Sequence, residues 1–244
     1  MKNAAIVLSG GSGKRMGADV PKQYMELCGH PLIYYALKTF EESFMDEIVL
    51  VCAAGDEEMC RKEIIDRYGL KKVRKIVCGG RERYHSVMNG VKAVSADADY
   101  IFIHDGARPF ISRSVLDGVL ADVKKYGASI VSVPSKDTVK LADEETFVKA
   151  TPSRKSVWQM QTPQVFEASL IRDAYGRLED EEEELLARGI EISDDAMIVE
   201  LLTDHRVHLY KGEYENIKIT TPEDMLYAMW LMQRRASDLS RDDI

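Results

Sequence analysis

Ala4-Ala5-Ile6-Val7-Leu8-Ser9-Gly10-Gly11-Ser12-Gly13-Lys14-Arg15-Met16-Gly17 opens the chain, with Pro21-Lys22-Gln23-Tyr24 four residues on. The apolar run Ala4–Leu8 shows no alternation and reads as a buried strand, so the glycines stand where a parallel sheet hands over to a loop. Glycines packed this densely let the backbone approach a ligand closely and aim successive N–H groups at an anion. Lys14, Arg15 and Lys22 add three positive charges against the single Asp19. The segment is therefore expected to hold a polyphosphate, with Ser9, Gly10, Gly11 and Gly13 supplying backbone contacts.

Two common phosphate loops do not fit. A P-loop needs a serine or threonine after Gly-Lys to ligate magnesium, and Arg15 stands there instead. A dinucleotide fingerprint counted from Gly11 would need its third glycine at Met16, and an acid near position 35, where the stretch Pro31 to Leu37 is apolar. The pattern instead resembles the signature of nucleotidyltransferases that load sugar or polyol phosphates onto nucleotides.

With 244 residues, 45% hydrophobic and 30% charged, the chain suits one α/β domain over residues 1–244. No apolar stretch is long enough to span a membrane, and Met1-Lys2-Asn3 runs into the first strand without a signal-like segment. Cys28, Cys52, Cys60 and Cys78 form no C-x-x-C pair and read as reduced thiols of a cytoplasmic protein. A net charge of −8 argues against nucleic acid as a partner and makes the cationic cluster at 14–22 stand out.

Strand and helix patterns then alternate. Strands are expected at Ala4–Ser9, Glu47–Ala53, Val73–Cys78, Tyr100–His104 and Ala128–Pro134, with helices at Pro31–Ser43, Asp56–Tyr68, Arg83–Ser95 and Ser112–Tyr126. This rhythm predicts a Rossmann-like, mainly parallel sheet with helices on both faces, which binds ligands at the carboxyl ends of its strands. After Pro134 the rhythm breaks. Thr138–Ala150 alternates like a strand and a second β-prone piece follows at Ser156–Met160. Together they predict a protruding β arm, at about 137–162, for which a second subunit is the simplest packing partner. A helix from about Glu167, a short helix after Ser193, a strand Val207–Tyr210 and a final helix from Pro222 complete the chain. The acidic run Glu179–Glu184 is expected to be a solvated helix face. His205 and His208 are expected to face opposite sides and form no metal pair.

The remaining motifs follow strands. Gly79-Gly80 permits close backbone approach, and Ser86 lies one helical turn on, able to turn its hydroxyl back to a ligand. Asp105, in His104-Asp105-Gly106-Ala107-Arg108, would repel a polyphosphate unless magnesium sat between them, since magnesium takes one or two carboxylates plus phosphate oxygens. The alternative is a turn-capping Asp105 paired with Arg108. Thr138, Arg154 and Thr162, with Arg108, are candidates for a second substrate's phosphate. Ser193-Asp194-Asp195 reads as a helix cap. Glu215 is a candidate second magnesium ligand, and Lys218 a further phosphate donor. Nothing resembles a nucleophile with its base, so the expected chemistry is charge neutralisation and alignment.

Gly-Gly-x-Gly-x-Arg-Met-Gly…Pro-Lys-Gln, Gly-Gly…Arg-x-x-Ser-Val, His-Asp-x-Ala-Arg-Pro, Lys-Asp-Thr-Val-Lys, Gln-Thr-Pro-Gln and Asn-Ile-Lys-Ile-Thr-x-Pro-Glu-Asp occur in one order. In that order they resemble the 2-C-methyl-D-erythritol 4-phosphate cytidylyltransferase family, from about residue 4 to 228. The resemblance implies CTP phosphates held by Arg15 and Lys22, and cytosine read by backbone near the first strand and the Gly-Gly loop and by Ser86. It further implies magnesium near Asp105, Lys218 near the reacting phosphates, and the acceptor held across a homodimer by Thr138, Arg154 and Thr162. Two departures lie near the nucleotide: Ser9-Gly10-Gly11 where the family has Ala-Ala-Gly, and Gly106 where it has Ala. Ribitol-5-phosphate cytidylyltransferase resembles the same motifs and is the alternative; a non-catalytic nucleotide-binding protein is a second, and an oxidoreductase a poorer third.

Overall fold

The computed structural model describes residues 1–11 and 21–242. Its first strand, β1 (Asn3–Ser9), is buried along almost its whole length, as the unbroken apolar run requires. Ala4 and Ile6 face one side of the sheet, Ala5 and Val7 the other, so each face meets its own layer of helices.

The chain continues through a short hairpin, β2 (Glu26–Leu27) and β3 (His30–Pro31), into α1 (Leu32–Glu41) and β4 (Glu47–Cys52). Next come α2 (Glu57–Met59), a π-helical stretch Cys60–Asp66, β5 (Val73–Cys78), α3 (Arg83–Ala93) and β6 (Tyr100–Asp105). The helix expected over Asp56–Tyr68 thus winds wider midway, which turns Cys60, Ile64 and Ile65 inward together. α4 (Arg113–Tyr126) starts on Ser112, whose hydroxyl accepts the Val115 N–H, and stops at Gly127 in the left-handed region (φ 75). β7 (Ala128–Pro134) follows.

Among the described residues seven strands form the central sheet, in the order β11-β7-β10-β6-β1-β4-β5. Here β10 is Trp158–Glu167 and β11 is His208–Lys211. β10 alone runs antiparallel, between β6 and β7. This corrects one expectation: the β-prone piece Ser156–Met160 does not leave the body but opens a ten-residue strand within it. The arm is shorter than predicted. Its core is the two-stranded β8 (Leu141–Ala142) and β9 (Val148–Ala150), on which Leu141, Phe147 and Val148 stand exposed.

α5 (Ala168–Ala187) and α6 (Asp195–Leu202) join α3 on one face; α1 and α4 cover the other. The last helix, α7 (Pro222–Asp242), packs Ala228 and Leu231 on Leu27, Leu32, Phe110 and Ile219. No helix among the described residues is long and apolar enough to cross a membrane. From β1 the chain moves outward through β4 to β5, then returns to β6 on the other side of β1. The carboxyl ends of β1 and β6 therefore flank the switch point, where such sheets bind ligands.

Candidate functional site

A cavity of about 480 Å³ opens at that point. Ser9, Gly10 and Gly11 line it from the end of β1, Lys22 and Gln23 from the turn that follows, and Gly80 and Ser86 from the loop after β5. Asp105 and Lys218 complete its charged part, with Arg83, Ala107 and Thr220 beside them. Segments some two hundred residues apart in sequence thus meet in one space, and Lys22 and Asp105 share it. The register explains the convergence: Leu8 pairs with Asp105, so both motifs leave the sheet at the same height.

The Gly79-Gly80 loop is held tightly. Gly80 N–H donates to Ser86 Oγ (3.0 Å), and Ser86 Oγ donates to the Glu82 carbonyl (3.2 Å). A Cβ on Gly80 would overlap that of His85, so only glycine fits. Glu82 caps α3 in a reciprocal box with His85, whose Nδ1 accepts the Glu82 N–H at 3.2 Å. Nε2 must then carry the ring proton, and it donates to Glu182 at 3.0 Å. Tyr84 donates to the other oxygen of Glu182 at 2.7 Å, and Glu179 binds Lys92. The acidic run is therefore only partly a solvated face, since two of its members brace α3.

Asp105 sits among three cations. Burial would raise its pKa, but Arg83, Lys218 and Arg108 more than offset this and hold the carboxyl well below the usual range. Lys218 Nζ lies 2.8 Å from it, Arg83 Nε 3.4 Å and Arg108 Nε 3.8 Å. Arg83 begins α3, where the helix dipole disfavours a cation. It is kept there by Asp195, fully buried, which takes its guanidinium on both oxygens at 3.0 and 2.9 Å. Burial works against the Arg83 charge, yet Asp195 and Asp105 raise its pKa overall. Tyr175 donates to Asp195 at 2.6 Å. Asp194 is the helix cap that the sequence predicted, accepting Met197 N–H. Asp195 is a different thing, the buried counter-ion of Arg83, a role that sequence reasoning missed. The signal was present: one acid suffices for a cap, and a cation at a helix start needs a partner.

Behind Asp105 runs a second chain of bonds. Asp105 N–H donates to Thr162 Oγ1 (3.1 Å), and Thr162 Oγ1–H donates to His104 Nδ1 (3.0 Å). His104 Nε2–H donates to the Arg108 carbonyl (3.1 Å), which fixes the neutral tautomer. Burial pushes the His104 pKa down to about 4.

Several expected site residues lie elsewhere. Thr162 is buried under Asp105 and does not line the cavity. Arg108 is also buried, donating to the carbonyls of Asn216 (2.8 Å) and Met160 (3.4 Å), so its ion pair with Asp105 is the reading that the geometry favours. Gly106 sits on the last rung between the strands, its N–H 2.9 Å from the Leu8 carbonyl, and Ala107 reaches the cavity instead. Thr138 and Arg154 bond to each other at 3.1 Å on the exposed arm, away from this cavity. Glu215 is turned from the cavity, its two oxygens taken by Arg234 and Arg235 of α7. It is not placed to ligate a metal beside Asp105. Gly13 and Arg15 lie outside the described residues.

No three His, Cys, Asp or Glu side chains cluster as a metal cage among the described residues. The donor set nonetheless fits magnesium, which needs a carboxylate such as Asp105 and otherwise prefers phosphate oxygens and water.

Residues 3–234 match the IspD family, described as 2-C-methyl-D-erythritol 4-phosphate cytidylyltransferase. The protein so named in Lachnoclostridium phytofermentans is 46% identical over 227 residues, which span 93% of this chain and 94% of that one. Its counterpart in Alkaliphilus oremlandii is 43% identical over 96% of both chains. Among solved structures, 4-diphosphocytidyl-2C-methyl-D-erythritol synthase from Anaerococcus prevotii superposes with a TM-score of 0.81 at 34% identity, covering 95% of this chain and 96% of that one. The family match spans both glycine loops, the Asp105 strand and the late Lys218 segment, and on it the chain belongs to the 2-C-methyl-D-erythritol 4-phosphate cytidylyltransferase (IspD) family.

Proposed function

We propose that this protein transfers CMP from CTP to 2-C-methyl-D-erythritol 4-phosphate, releasing pyrophosphate and yielding 4-diphosphocytidyl-2-C-methyl-D-erythritol. A phosphate oxygen of the acceptor forms a bond to the α-phosphorus of CTP, and the bond from that phosphorus to the bridging oxygen of the β-phosphate breaks. One observation supports this above the others: Lys22 and Lys218 share a cavity with Asp105 and two glycine-lined loops.

In this reading the backbone at Gly10, Gly11 and Gly80 lies along the nucleotide, with Ser86 near the base. Lys22 and Lys218 neutralise charge on the reacting phosphates, and Arg15 and Gly13 join them from the sequence pattern. Such transfers are accelerated mainly by alignment and fixed charge. Magnesium held through Asp105 would shield and order the triphosphate. Arg83, fixed from below by Asp195, keeps Asp105 ionised and aimed into the cavity.

The acceptor's phosphate is assigned to Thr138 and Arg154 on the arm of a second copy, in a cytoplasmic homodimer. Support for the pairing is the arm's exposure, with Phe147 and Val148 uncovered in the single chain. All four cysteines are free thiols, as a reducing compartment would keep them.

The test is pyrophosphate release from each of four nucleoside triphosphates, crossed with methylerythritol phosphate and ribitol phosphate, with and without magnesium. Release only with CTP, methylerythritol phosphate and magnesium is the expected result. Release with ribitol phosphate alone would move the acceptor assignment, and none in any arm would leave a binding protein.

A further inference from the structure

Gln23 is polar, buried to 2% exposure, and stands beside Lys22 in the turn Lys22–Tyr24. Its Nε2 has two hydrogens, and both are spent on main-chain carbonyls, those of Ser9 (2.5 Å) and Gly11 (3.1 Å). These carbonyls flank Gly10, on the near side of the stretch 12–20, while Gln23 lies on the far side. One amide therefore joins the backbone at the end of β1 to the turn that carries Lys22. The neighbouring side chain adds a second tie, Ser9 Oγ to Tyr24 Oη at 3.3 Å, and Tyr24 Oη meets Cys60 Sγ at 3.2 Å.

Two carbonyl oxygens at the edge of an anion site would repel a phosphate unless they are turned away and satisfied. In a trans peptide the C=O and the following N–H point in opposite directions. Capture of the Ser9 carbonyl by Gln23 thus directs the Gly10 N–H to the other side of that peptide. The same contact fixes the turn that carries Lys22.

We infer that Gln23 is a positioning residue for the nucleotide: by capturing the carbonyls of Ser9 and Gly11 it sets the orientation of the Ser9–Gly11 backbone and the place of Lys22. This rests on the proposed binding of CTP, and it concerns the triphosphate, since Gln23 bonds the Ser9 and Gly11 carbonyls and, among the described residues, no residue of its own arm. Gln23→Met keeps the volume and removes both donors. Gln23→Glu keeps the shape and turns a donor into an acceptor facing two carbonyls.

The measurements are calorimetric affinities for CTP and for inorganic pyrophosphate with magnesium chloride, both KM values, kcat and the thermal midpoint. With two neutral hydrogen bonds lost, Gln23→Met is expected to weaken CTP and pyrophosphate about tenfold and to raise the KM for CTP by a similar factor. The acceptor KM should stay within about twofold, because a contact on the triphosphate side does not reach it. Gln23→Glu should weaken CTP further, as an added anion opposes the phosphates. CTP affinity unchanged in Gln23→Met, or both KM values rising together with a collapsed thermal midpoint in both variants, overturns the role and leaves Gln23 as packing. If the unaltered protein binds no CTP, the nucleotide reading itself fails, and this role falls with it.

Discussion

Arg83 and Arg154 are held in opposite ways. Arg83 is gripped on two edges by a carboxylate with no exposure at all, which is itself bonded by Tyr175. Arg154 rests on one exposed hydroxyl, Thr138, at 3.1 Å. The cavity floor is thus ordered before any ligand arrives, so its charges need no rearrangement during reaction. The arm keeps its side-chain freedom and loses it only on binding. Residues that look alike in sequence divide into an ordered cavity floor and an exposed arm, which in the proposed homodimer would meet its counterpart.

Substitutions should separate the two regions. Asp195→Ala leaves Arg83 without its buried partner and is expected to cost about 3–5 kcal/mol of stability, read as the urea unfolding midpoint. An unmoved midpoint would mean that the pair is not what orders the floor. Lys22→Ala should fold normally yet lower kcat about 10²–10³-fold, roughly 3–4 kcal/mol in the barrier, because it removes a fixed charge from the reacting phosphates. Near-normal turnover would strip Lys22 of its role.

Acid should loosen the floor before the arm. His104 stays neutral in the folded protein down to about pH 4, whereas in the unfolded chain it titrates near 6.5. Between these values the unfolded chain binds the extra proton, so stability falls as pH drops from 6.5 to about 4, by about 3 kcal/mol in all. Asp105, with its pKa depressed below 3.8, adds a loss only at lower pH still. A flat midpoint across pH 6.5 to 4 would show that His104 protonates at no cost. The smallest change in stability belongs to the arm. Arg154→Ala should alter stability by less than about 0.5 kcal/mol and yet raise the KM for the polyol phosphate with that for CTP unchanged. Equal shifts in both KM values would detach Arg154 from the acceptor.

Much of the nucleotide side was legible because its residues follow strands, and strand ends converge in a parallel sheet. Ser9, Gly80, Ser86 and Asp105 were expected at strand ends or one helical turn beyond, and one cavity gathers them. What escaped was set by tertiary contact. Thr162 carries the hydroxyl expected of a phosphate ligand, but a histidine on the adjacent strand takes it. Glu215 looked like a metal ligand, and two arginines of α7, Arg234 and Arg235, neutralise it. β10 was cut short in the reading because Pro163 interrupts its β pattern; the proline is accommodated where pairing with β7 shifts register between Met160 and Gln164.

That same strand joins the arm to the cavity floor. β10 leaves the arm at Trp158, passes the Met160 carbonyl to Arg108, seats Thr162 beneath the Asp105 amide, and ends deep against β6. It is anchored between β6 and β7, with its outer end at the base of the arm. The path from the arm to the backbone of Asp105 is therefore one strand long, crosses the register shift between Met160 and Gln164, and closes on a single hydroxyl, that of Thr162.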